Sequence, residues 1–117
     1  MIKCFGWTID SVWLGEDDAL YFDFGWRGAL KISDAGQSCC EKRYMTTDDN
    51  LQDFAGAEFL GLEIKKAPDI IDAEFDVHEV QFLEIKTSKG CFTMATHNEH
   101  NGYYGGFEIA LEEVKQG

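Results

Sequence analysis

The residue types best suited to chemistry gather in one stretch, His97-Asn98-Glu99-His100-Asn101-Gly102-Tyr103-Tyr104-Gly105-Gly106-Phe107, which holds two histidines, two asparagines, three glycines and two tyrosines. Imidazoles ligate metals or move protons near neutral pH. Tyrosines stack on planar groups or anchor interfaces. Gly and Asn supply backbone with positive φ, so the stretch reads as a shaped loop between strands, longer than an ordinary hairpin connection. The cysteines Cys39 and Cys40 with Glu41 form a second reactive group. Cys39, Cys40, His97 and His100 together offer thiolate and imidazole ligands of the kind zinc takes, although adjacent strand residues point to opposite faces and the spacing matches no established zinc pattern. A thiol–imidazole pair drawn from the same residues, oriented by Asn98, Asn101 or Glu41, is the corresponding nucleophilic arrangement. The acidic background raises a thiol's pKa and argues against it.

The elements that must position these groups are mostly of period two. Phe5, Trp7 and Ile9 alternate, as do Leu20, Phe22 and Phe24 after a turn at Gly15-Glu16-Asp17-Asp18. Gly25-Trp26-Arg27-Gly28 turns the chain into Ala29–Ser33, and Cys39–Met45 reads as a further strand. Leu60, Leu62 and Ile64 alternate in the next, which ends at the single proline, Pro68. Segments 80–86 and 91–96 form a hairpin across Thr87-Ser88-Lys89-Gly90, and Phe107, Ile109 and Leu111 open a last strand. One short helix is expected near 47–55, with a Thr cap, acids in its first turn and Gly56 at its end. The expected fold is mainly β (α+β): one domain over 1–117, a single antiparallel sheet, twisted or partly closed, with that helix packed on it.

Composition narrows the function classes. The chain has 117 residues, 44% of them hydrophobic and nine of them Phe, enough for one real core. Twenty-two acidic residues against ten basic ones give a formal net charge of -12. Such a surface repels nucleic acid and favours docking on a basic protein surface. No apolar run is long enough to span a membrane and the N-terminus lacks a signal-peptide pattern, so a cytoplasmic protein with reduced thiols is expected. Asp72, Glu74 and Asp76 alternate like the first ligands of a calcium loop, but Val77 and Leu83 occupy positions where an EF-hand needs Gly and Glu. No glycine-rich phosphate cradle is present.

Four blocks, Ser38-Cys39-Cys40-Glu41, Tyr44-Met45-Thr46-Thr47-Asp48-Asp49, His78-Glu79-Val80-Gln81-Phe82-Leu83 and the 97–107 stretch, resemble in that order an uncharacterised family of small proteins of bacteriophages and their hosts. The resemblance covers about residues 36 to 112 and carries no reaction. It implies an accessory protein of phage type in the host cytoplasm. The expected function is therefore a non-enzymatic, anti-CRISPR-like inhibitor, monomer or homodimer, docking on the basic nucleic-acid channel of a CRISPR effector or another defence complex. His97, Asn98, His100, Asn101, Tyr103, Tyr104 and Glu41 are its expected contact residues. The alternative is a small-ligand or metal site, zinc at Cys39, Cys40, His97 and His100 or a bound nucleotide. No cofactor is expected on the first reading.

Overall fold

The computed structural model describes residues 5–34, 42–66, 70–71, 77–100 and 107–114. The strands are β1 (Ser11–Leu14), β2 (Leu20–Asp23), β3 (Ala29–Asp34), β4 (Lys42–Thr46), β5 (Phe59–Lys66), β6 (Ile70–Ile71), β7 (Val77–Thr87), β8 (Gly90–His100) and β9 (Ile109–Val114). They form two antiparallel sheets, not one. The first has the order β1-β2-β3-β9 and the second the order β4-β8-β7-β5, with β6 paired to β7. Alternation along a strand tells which residues turn inward but not which strand lies beside which, so the expectation of a single sheet fails at the pairing step.

Two inward faces meet in the core. Val12, Leu20, Phe22, Leu30 and Ile32 come from the first sheet, and Met45, Phe59, Leu83, Ile85, Phe92 and Met94 from the second. Phe22 locks them together. Its ring stands edge-on to Phe59 at 5.2 Å and tilted against Phe92 at 6.2 Å, while Phe24 reaches Phe59 at 6.1 Å. Offset and edge-on aromatic pairs of this kind add stabilisation beyond the area they bury. At one end of the sandwich the clamp is ionic: Nη1 of Arg43, on β4, donates to both carboxylate oxygens of Asp34 at the end of β3, each at 2.8 Å, with side chains only 7% and 8% exposed.

The N-terminal alternation does not produce a full strand. Thr8 forms one bridge with Glu58, Ile9 N–H donates to Ala57 O and Phe59 N–H to Trp7 O, before the chain enters β1. One short run thus hydrogen-bonds to the second sheet and leads into the first. Ile9 is buried, whereas Phe5 is 63% exposed. In β5 a bulge between Phe59 and Gly61, where Gly61 takes φ +129°, shifts the register, so Phe59 and Leu62 both reach the core and Leu60 is left outside.

The expected helix near 47–55 is also absent. Only one 3₁₀ turn, Leu51–Phe54, forms there, capped by Asn50 Oδ1 accepting from Gln52 N–H. The cause lies in Thr47 and Asp49. Thr47 Oγ1 donates to Thr93 O, and Asp49 Oδ2 accepts from Thr93 N–H, so two side chains continue the edge pairing of β8 where β4 stops. Residues held to a strand in this way cannot begin a helix. Ala55 is extended and Gly56 turns with φ +88°. The short turn still places Phe54 against Phe92, with ring centroids 4.7 Å apart.

Phe22→Ala is expected to cost about 3–5 kcal/mol, because it removes the ring that both sheets grip. Urea denaturation should show a lower midpoint with an unchanged slope; a midpoint within error of the unaltered protein would show that the sheets are joined elsewhere.

Candidate functional site

β8 has period two, and its burial divides cleanly. Phe92, Met94, Thr96 and Asn98 are buried, so Cys91, Thr93, Ala95, His97 and Glu99 project from the opposite, outer face of the second sheet. The register adds their neighbours. Tyr44 of β4 and Val80 of β7 flank His97; Thr46 and Phe82 flank Ala95; Lys42 and His78 flank Glu99.

The histidines form a hydrogen-bonded chain on this face. Thr46 Oγ1 lies 2.8 Å from His97 Nε2, and His97 Nδ1 lies 2.8 Å from His78 Nε2. The ring centroids of His78 and His97 are 5.0 Å apart, about the nitrogen gap plus one ring radius at each end. The two nitrogens therefore face one another almost head-on with a proton between them. Each neutral imidazole donates through one nitrogen and accepts through the other, so the chain runs in one sense from Thr46 to His78 or in the reverse sense. Tyr44 stacks on His97 at 4.5 Å with planes 7° apart and fixes the ring's plane.

The electrostatics favour a neutral His97. Burial first, and the neighbouring His78 second, push its imidazole below the ordinary histidine value, while Glu99 opposes them. Burial, followed by a hydrogen bond to Glu99, raises the Tyr44 hydroxyl above its usual value. Further along the strands, toward the Thr87–Gly90 turn, charges on β5 and β7 pair: Lys65 with Glu84 at 2.7 Å, and Lys86 with Glu63 at 3.3 Å. Beside Thr46 lies a hollow of about 280 Å³ whose floor is Ala95, set between Thr46 and Phe82.

The sequence-predicted residues fare differently. Residues 97–100 belong to β8 and not to a loop. His97 is at the centre of the outer face. Asn98 is fully buried on the inner face, beside Arg43 and Glu79 in register, and so cannot join His97 in one contact surface. His100 ends β8. Cys39, Cys40, Glu41, Asn101, Tyr103 and Tyr104 lie outside the described residues. Among the described residues, no group of three or more His, Cys, Asp or Glu side chains is placed to hold a metal ion, and no helix is long and apolar enough to cross a membrane. The strand ends that bound the expected reactive segments do converge: Lys42 pairs with Glu99, Val77 with His100 and Asp34 with Ile109. Tyr44, Thr46, His78 and Phe82 are absent from the predicted site. Their signal is cross-strand register, which one strand's sequence does not carry.

Residues 6–109 match the family model described as a domain of unknown function (DUF7448). The chain belongs to that family. No curated protein and no solved structure matches it.

The depressed imidazole fixes a pH dependence. The unfolded chain takes up a proton at the ordinary histidine value, about 6.5, while the folded chain resists it until lower pH. Stability is therefore full above that value and is lost as pH falls from it through the lower folded-state value. Urea midpoints should drop between pH 7.5 and pH 5.5, and His97→Gln should shrink the drop; an equal drop in the variant would assign the effect to other groups.

Proposed function

We propose that this protein is a small acidic docking module of the phage-accessory type, acting in the host cytoplasm, that inhibits a bacterial defence complex such as a CRISPR effector by covering a basic, nucleic-acid-binding protein surface. The outer face of the second sheet is the contact surface in this reading. The observation that carries it is the composition of that face: Tyr44 and His97, fixed by stacking and a hydrogen bond, with a 37% exposed Phe82 on the same face. It is carried by a chain whose formal net charge is -12. Rigid aromatic anchors at the middle of a surface are where interface energy concentrates, and they lose little entropy on binding. The negative field speeds encounter with a positive partner and disfavours direct contact with DNA or RNA. Tyr103 and Tyr104, which follow β8 along the chain, serve as further anchors in the same proposal.

Affinity capture from host lysate is expected to recover a basic protein whose retention falls steeply with added salt. A Tyr44→Ala/Phe82→Ala double variant should weaken that capture roughly tenfold or more. Capture indifferent to salt, or undiminished in the double variant, would count against this face as the docking surface.

A further inference from the structure

We propose that the hollow beside Thr46 is a receptor for one arginine side chain presented by the partner; this rests on the docking reading above and names the chemistry that its surface selects. The hollow arises from one small residue. Across β4, β8 and β7 the outer row reads Thr46, Ala95, Phe82, and the methyl of Ala95 leaves a trough between two larger walls. Thr93 extends the trough along β8, and Asp48 and Asp49 form its lip, held there because Asp49 accepts from Thr93 N–H. Among the described residues, no Lys or Arg lines it.

Size and charge together specify the occupant. At about 280 Å³ the hollow falls just below the pockets that take drug-sized ligands, roughly 300–1,000 Å³, and suits a single side chain. Two exposed carboxylates at the lip call for a cation. The walls distinguish between cations. A guanidinium is planar, weakly hydrated, matches a carboxylate through two parallel N–H groups and stacks on an aromatic face such as Phe82. An ammonium is a strongly hydrated point charge and gains less from an apolar trough. The threonine hydroxyls are already engaged, Thr46 with His97 and Thr47 with Thr93 O, so discrimination falls to the carboxylates and the ring.

The test is a titration of the isotope-labelled full chain with N-acetyl-arginine amide, followed by NMR, with N-acetyl-lysine amide as control. Arginine amide should give saturable shifts at the amides of Thr47–Asp49 and Thr93–Ala95, with lysine amide roughly threefold weaker or more. Asp48→Asn and Phe82→Ala should each weaken arginine binding by a similar factor, and Ala95→Leu should abolish it while the folded spectrum is retained. Absence of saturable shifts at those amides, equal binding of lysine amide, or undiminished binding by Ala95→Leu overturns the proposal. If Ala95→Leu still captures the basic partner in a salt-sensitive way, the arginine receptor falls and the docking surface stands. If arginine amide binds as described but the chain captures no basic partner, the receptor stands and the docking reading falls.

Discussion

The packing of Phe22 against Phe59 and Phe92 is the contact on which the other features depend, because it sets the two sheets face to face and so decides which side of each strand is inside. Once Phe92 and Met94 point into the core, period two leaves Thr93, Ala95, His97 and Glu99 no choice but the outer face. The same parity sends Asn98 inward while His97 goes out. Arg43 and Asp34 close the sandwich at its polar end, where a buried ion pair acts mainly to fix the arrangement, since desolvation offsets much of its attraction.

The outer face owes its order to a sequence of local constraints. Tyr44 stacks on His97, His97 bonds Thr46 on one side and His78 on the other, and all four side chains stand on strands whose register is fixed by the core beneath. Where β4 ends, Thr47 and Asp49 take over its pairing with Thr93, which holds the acidic lip in place beside Ala95. A surface prepared in this way loses less entropy on binding than a mobile one. In the proposed docking role that preparation favours affinity, and the acidity of the chain favours a basic partner.

Much of the architecture is legible in the residues. Leu20, Phe22 and Phe24 alternate, and all three are buried; the turns at Gly15–Asp18 and Gly25–Gly28 and the hairpin across Ser88 and Lys89 lie where their residues suggest. Two features are not legible. Strand partners are long-range choices, so the second sheet and the meeting of Tyr44, His78 and His97 do not follow from any single segment. The Thr47–Asn50 run carries helix-start residues, and a tertiary hydrogen bond to Thr93 overrides that local preference. His97 is legible as a site residue by type alone, whereas its partners are legible only through register.

In the proposed function the outer face of the second sheet, and not the first sheet, meets a basic partner. Hydrogen-exchange footprinting of the chain alone and in its captured complex tests this most directly. New protection is expected in segments 42–49, 78–84 and 93–99, with β1, β2 and β3 unchanged. Protection confined to β1–β3, with those three segments exchanging as in the free chain, would contradict it.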